Sequence, residues 1–208
     1  MISLHERINA IRQLEPVAPI ERNKLNIEDL QVGGFLKIKE SAFQVKSLGY
    51  YLDVKWKDFS ARKSEYWVTE LELLNLHNGV VKYFEWERDD ELELSITEEF
   101  VKLRDIKYSG SSLTHAHLDS IADNEEGTVS FKGVNYHYVE DDTWAGRYAK
   151  EKRKDGAPMR AYEFEGDDDT FLTIETWHEA DDERPDREAF LSRAVSVRDI
   201  EILQLNRQ

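Results

Sequence analysis

The feature that most restricts the fold is a plan that the chain runs through twice. Val101-Lys102-Leu103-Arg104-Asp105-Ile106 returns as Val195-Ser196-Val197-Arg198-Asp199-Ile200. An echo of this length arises by chance in 208 residues, so the argument rests on other landmarks that recur in the same order. Gly34 opens a run with Leu36 and Ile38, and Gly127 opens one with Val129 and Phe131. Phe43 and Val45 are answered by Tyr136 and Tyr138, and Leu52 and Trp56 by Trp144 and Tyr148. Trp67 and Thr69 are answered by Tyr162 and Phe164, and Phe84 with Glu85 by Leu172 and Ile174 with Glu175. The offset drifts only at turns, where changes of length are tolerated.

Within each passage apolar residues alternate with polar ones, as Leu52, Val54 and Trp56 do with Asp53 and Lys55. Period two is the signature of a strand with one buried face. Asn78-Gly79, Asp89-Asp90 and Asp155-Gly156 sit where such strands must reverse. The expectation is a mainly β, antiparallel protein of two similar lobes from an internal duplication, spanning 27–107 and 127–208 and packed as one compact unit. A connector at 108–126 holds a short helix around Leu118. In this reading Val101, Leu103, Val195 and Val197 belong to closing strands, which Arg104-Asp105 and Arg198-Asp199 end.

Residues 1–26 stand outside the repeat. Leu4, Ile8 and Ile11 form an apolar stripe at helical spacing, Ser3 and Glu6 have the spacing of a capping box, and Pro16 and Pro19 end the helix. So short a helix is marginal alone and needs a surface. The expected surface is the body of its own chain, and a partner is the alternative.

Acidic residues number 43 against 28 basic ones, for a net charge of −15. That charge repels phosphate backbones and anionic membrane surfaces, so no nucleic-acid partner is expected. No run approaches the length of a membrane span and the first residues carry no apolar signal region. The absence of cysteine excludes disulfides and thiolate sites and suits a cytoplasmic location.

His115, His117 and Asp119 are the most suggestive trio for chemistry. On a strand all three share a face and offer a metal nitrogen and oxygen ligands; on a helix His115 and Asp119 align while His117 turns away. No fourth ligand lies nearby, and a metal site is not expected. His137 and His178 are read as solvated or edge-strand histidines in preference to general bases. Asp141-Asp142, Asp167-Asp168-Asp169 and Asp181-Asp182-Glu183 lack the spacing of a twelve-residue calcium loop and read as turn residues. Glu85 and Glu175 recur at equivalent places, and facing lobes would bring the two carboxylates together. Lys55, Lys57, Arg62 and Lys63 surround one turn; Arg147, Lys150, Lys152, Arg153, Lys154 and Arg160 surround its counterpart. These basic hairpins either grip an acidic partner or protect exposed strand edges. No phosphate loop, nucleophile elbow or His-Glu-x-x-His motif occurs, so no catalytic, cofactor-binding or metal residue is assigned.

Several stretches carry a resemblance. They are Ile27-Glu28-Asp29-Leu30-Gln31-Val32-Gly33, then Glu65-Tyr66-Trp67-Val68-Thr69-Glu70-Leu71 leading to a tryptophan-bearing strand and Asp89-Asp90. Val129-Ser130-Phe131-Lys132-Gly133-Val134-Asn135-Tyr136 and Val197-Arg198-Asp199-Ile200-Glu201-Ile202-Leu203 complete the set. Over about residues 27–203 the chain resembles the bacterial family catalogued as domain of unknown function 4178. The resemblance carries no catalytic residues over. It implies an accessory role near phage-shock-type membrane-stress systems, an association only. The leading expectation is a non-enzymatic interaction or scaffold protein, engaging a protein partner through the basic hairpins or the N-terminal helix. The alternative is a small-ligand or carbohydrate-binding β module. A metal-dependent hydrolase ranks below both.

Overall fold

β-branched and aromatic residues alternating with charged ones make most of the chain strand. The strands are β1 (Phe35–Ile38), β2 (Ser41–Val54), β3 (Ala61–Asn75), β4 (Val81–Arg88), β5 (Leu92–Phe100), β6 (Lys107–Tyr108) and β7 (Ser111–Ser112). They continue with β8 (Thr128–Phe131), β9 (Val134–Tyr138), β10 (Trp144–Ala149), β11 (Ala157–Gly166), β12 (Phe171–Trp177), β13 (Asp186–Ala194) and β14 (Ile200–Gln204). The helices are α1 (Leu4–Ile11), α2 (Pro19–Arg22) and α3 (His115–Asn124). This computed structural model describes residues 2–22, 24–88, 91–153, 155–178 and 186–206, with backbone alone at 20 and 63–67.

Hydrogen bonding orders the strands β14-β1-β2-β3-β4-β5-β13-β12-β11-β9-β8-β6-β7, and β10 pairs with both β11 and β2. The order β2-β3-β4-β5-β13-β12-β11-β10 thus returns to β2, and eight antiparallel strands form a closed barrel. The chain divides into two compact units, and neither is a half of the sequence. One comprises Met1–Gly49, Val68–Ile96 and Val195–Gln208; the other comprises Tyr50–Trp67 and Thr97–Ala194.

In the first unit β1 turns into β2 through Lys39, which takes a positive φ of 52°. β14 pairs along the other edge of β1, with Ile38 opposite Ile200 and Leu36 opposite Ile202. Gly34 permits that closure, since a Cβ there would stand 2.1 Å from the Leu205 carbonyl oxygen. Helix α1 has the expected capping box: Glu6 N–H donates to Ser3 Oγ, and Ser3 N–H donates back to the Glu6 carboxylate. Its docking differs from expectation. The helix packs through small Ala10, with Ile2 and Leu14, on Phe35, Leu74 and Leu76. Arg7 donates to the His77 carbonyl oxygen, and Ile2 N–H to that of Gly79 at 3.0 Å. Ala10 lies about 100° around the helix from Ile11. The apolar stripe is therefore left outside: Leu4 is 62% exposed, Ile8 38% and Ile11 49%. Within the helix the contact is made by small Ala10, and not by the large side chains of the stripe.

In the second unit α3 lays Leu118 and Ile121 on Tyr162, Phe164, Leu172 and Ile174, joined by Val129, Phe131 and Tyr136. The short helix expected around Leu118 is thus present, capped by Thr114. Lys132-Gly133, both at positive φ, turn β8 into β9. The echoed motif is not a closing strand. Val101 and Val195 are buried, but Leu103–Asp105 and Val197–Asp199 are 3-10 turns, and Val197 is 56% exposed. The arginine-aspartate pairs close a turn and launch β6 and β14. Likewise Trp56 follows β2 into a turn fixed by Lys55 N–H to Ser60 oxygen (2.8 Å) and Phe59 N–H to Lys55 oxygen (3.0 Å).

Candidate functional site

Pairing of β11 with β12 puts Arg160 opposite Thr176, Tyr162 opposite Ile174 and Phe164 opposite Leu172. Directly paired residues share a face of the sheet. At one end of this face Tyr162, Phe164, Leu172 and Ile174 fill the core under α3. Toward the other end the same face turns polar, with Arg160, Thr176 and His178.

Tyr162 is wholly buried, and among the described residues its hydroxyl has no hydrogen-bond partner. Arg160 and Thr176 approach closely enough to favour the phenolate slightly, yet neither reaches hydrogen-bonding geometry. Burial, reinforced by the negative charge of Asp119, pushes the phenol up to about 12, so the group stays neutral.

Arg160 is fixed on two sides. Its Nε and Nη2 donate to the Trp56 carbonyl oxygen at 3.1 and 2.9 Å. The guanidinium carbon lies 5.0 Å from the Trp56 ring centroid and 5.1 Å from that of Phe59, which is cation–π distance. Trp56 meets Tyr162 edge to face at 5.3 Å. His178 stacks at 5.1 Å on Phe59, and its Nε2 lies 3.0 Å from Thr176 Oγ1. Burial first, then the positive charges of Arg160 and His115, push the His178 imidazole down to about 4. It is a neutral ring at physiological pH.

Helix α3 brings His115 and Asp119 to this cluster, on one helix face with Nε2 and Oδ2 3.7 Å apart. The charge of each reaches His178, and His115 Nδ1 is buried with no partner. His117 does not join them. Its Nδ1 accepts the Thr114 N–H at 3.2 Å, and its ring stacks on Tyr108 at 4.9 Å. The trio is therefore split as a helix splits it, and among the described residues no group of three His, Asp or Glu side chains could hold a metal.

Other sequence candidates have structural partners. His137 is bracketed by Thr128 Oγ1 at 3.1 Å and Asp167 Oδ1 at 3.2 Å. Asp168 Oδ1 accepts from the Thr170 hydroxyl and N–H, tying the β11–β12 turn. Burial and the neighbouring Asp141 and Glu165 raise the pKa of Asp142. Glu85 pairs in register with Glu70 and Ser95 in the first unit; Glu175, buried, pairs with Ala161 and Glu188 in the second. Asp89-Asp90, Asp181-Asp182-Glu183 and Lys154 lie outside the described residues, as does the Lys63 side chain. Of the basic groups, Arg147 bonds the carbonyls of Phe59 (3.2 Å) and Gly156 (3.1 Å), Arg153 faces Asp155 at 3.4 Å, and Lys152 lies over Tyr50. Arg147 and Arg160 thus serve the turn itself, while Lys55, Lys57, Arg62 and Lys150 are exposed.

The arrangement offers a guanidinium with donors beyond the two used on Trp56, a neutral phenol and a neutral imidazole, walled by aromatic rings. It suits holding a ligand. Sequence reasoning singles out His115 and Asp119 as members of one trio, Arg160 as part of a basic hairpin and His178 as a lone histidine, and it misses Tyr162, Trp56, Phe59 and Thr176 as site residues. The only local signal was the alternation Arg160-x-Tyr162 beside Thr176-x-His178.

No curated protein and no solved structure matches the chain. One family model does, over residues 26–196; it covers the stretches from Ile27 to Tyr136 that carried the resemblance and stops short of Val197–Leu203. The chain belongs to the family described as domain of unknown function DUF4178.

Proposed function

We propose that this protein is a non-enzymatic binding module whose small-ligand site is the cluster around Tyr162. The observation that carries the reading is the Tyr162 hydroxyl, wholly buried without a partner. A buried hydroxyl left unsatisfied costs about 1–3 kcal/mol, and such a cost is repaid when a ligand supplies the missing bond. The test has two readouts. Tyr162→Phe should unfold at the same temperature as the native protein or higher. Tryptophan fluorescence titrated with small anionic, cationic and neutral sugar probes should saturate with at least one class in the native protein and weaken in the variant. Saturation with none of them, or a variant of clearly lower stability, would overturn the reading.

The proposal includes the duplication, with lobes 27–107 and 127–208 around the connector 108–126. Several paired observations support it. β14 pairs with β1 as β6 pairs with β8, and Lys39 and Lys132 both turn their hairpins at positive φ. Val101 N–H donates to Ala189 oxygen at 2.8 Å, and Val195 N–H to Leu94 oxygen at 2.9 Å. On this alignment Arg88 is the counterpart of His178. Arg88 Nε is closed by Glu28 at 2.7 Å, whereas His178 is neutral beside Asp119.

A second reading rests on α1. A docked, capped helix that presents Leu4, Ile8 and Ile11 outward, with exposed His5 and Arg12 beside them, fits an apolar groove with an acidic rim on a partner protein. A partner in membrane-stress physiology is what the family resemblance suggests. Purified candidate partners should bind the native chain and lose tenfold or more in affinity to Leu4→Asp/Ile8→Asp; equal binding by a folded variant would remove α1 from the account.

A further inference from the structure

We propose that the ligand of the Tyr162 cluster is a small monoanionic carboxylate, its oxygens taken by the Arg160 guanidinium and the Tyr162 hydroxyl; this rests on the binding reading above.

The chemistry of the donors decides the sign of the charge. Arg160 is a permanent cation, within cation–π distance of both Trp56 and Phe59, with its planar fork only partly used on the Trp56 carbonyl. Such a fork matches two oxygens on one carbon or phosphorus. Tyr162, neutral and unpartnered, supplies an O–H donor from the adjacent position on β11. His178, just past the end of β12, is also neutral and adds no positive charge; the charged groups that act on it are Arg160 from β11 and His115 and Asp119 from α3. A cationic ligand would face Arg160 directly.

The choice between carboxylate and phosphate follows from the same count. One fixed guanidinium neutralises one negative charge. Asp119 already places a carboxylate near enough to act on both Tyr162 and His178. A phosphate dianion would double the repulsion from Asp119. Half-buried Trp56 and Phe59 offer the apolar body of such a ligand a surface beside its charged end.

A bound carboxylate also offsets the positive field that depresses His178, and this gives a readout that a purely structural cluster would not move. Acetate, benzoate and inorganic phosphate are each titrated into the full chain while the His178 ring is followed by NMR across pH. The expected result is saturable binding of acetate and benzoate, with benzoate the tighter. The His178 pKa should rise by roughly one unit when bound, equivalent to tenfold tighter binding to the protonated form. Tyr162→Phe, which removes only the hydroxyl, should weaken benzoate about tenfold. Arg160→Gln should abolish binding, with folding checked by the dispersion of the same spectra. Tighter binding of phosphate, or carboxylate saturation that leaves His178 unmoved, overturns the assignment. Saturation by a sugar or a cationic probe alone also overturns it, while leaving a ligand site in place. Saturation by no probe removes both.

Discussion

Arg160 donates from both Nε and Nη2 to the single carbonyl oxygen of Trp56, while its guanidinium lies over the ring of that same residue. One side chain of β11 thereby fixes a turn more than a hundred residues earlier in the chain. Lysine has neither the fork nor the flat face. Arg160→Lys is expected to lower unfolding stability by about 1–3 kcal/mol, the worth of charge-assisted hydrogen bonds to backbone. Urea denaturation reads this directly, and an unchanged midpoint would show that the turn holds itself.

His178 sets a pH dependence whose sign is fixed. Its folded pKa of about 4 lies below the ordinary 6.5, so between these values the unfolded chain binds more protons than the folded one. The associated stability is complete above pH 6.5 and is lost as pH falls toward about 4. His178→Gln should lose less stability than the native protein over that window. Two curves that run parallel from neutral pH to pH 4 would contradict the depressed value.

Tyr162 acts at the opposite end of the scale. With its phenol pushed from 10 to about 12, the neutral form is retained in the fold after the unfolded chain has ionised. Stability present below pH 10 should drain as pH rises toward about 12, and Tyr162→Phe should not share that loss. Thermal unfolding at stepped alkaline pH separates the two.

Gly34 is expected to tolerate no side chain. A methyl group would stand 2.1 Å from the Leu205 carbonyl oxygen and 2.9 Å from that of Gln31. Both obstacles are backbone and cannot rotate away. Gly34→Ala should cost about 1–3 kcal/mol, as overpacking does, with hydrogen exchange accelerated first along β14. Native-like protection of β14 would refute the clash.

The stripe of α1 should be silent for folding. Leu4→Gln and Ile11→Gln change residues already facing water, so stability should stay within about 0.5 kcal/mol of native. Ser3→Ala removes the cap and should loosen the helix by about 0.5–2 kcal/mol. Exchange rates of the α1 amides distinguish these cases.

Much of the strand framework could be read from period two, because alternation is a local property that a buried face imposes residue by residue. The capping box of α1 was legible for the same reason: Ser3 and Glu6 bond each other within a single helical turn. The side on which α1 docks was not, since it depends on a small residue meeting Phe35 and Leu74 far along the chain. β13 was missed because its run Ala189-Phe190-Leu191 is apolar on both faces and loses the alternation. The echoed arginine-aspartate motif has the composition of a strand end, and only the hydrogen bonds of Ile106 to Leu103 and Ile200 to Val197 reveal a 3-10 turn. The candidate site draws on 56–59, 115–119 and 160–178. No spacing rule joins those segments, and each residue had a bland explanation of its own.

The pairing of β14 with β1 carries a consequence for how the molecule is made. Residues 35–38 have β2 within reach as soon as the next hairpin arm is synthesised, but their other partner, residues 200–204, comes off the ribosome some 160 residues later. At about 5–20 residues per second that is a wait on the order of ten to thirty seconds with one strand edge bare. All of Tyr50–Trp67 and Thr97–Ala194 has been translated by then. Nascent-chain folding of this protein should therefore finish where it began, and charged Lys37, on the waiting edge, is placed to discourage a wrong partner from pairing there first.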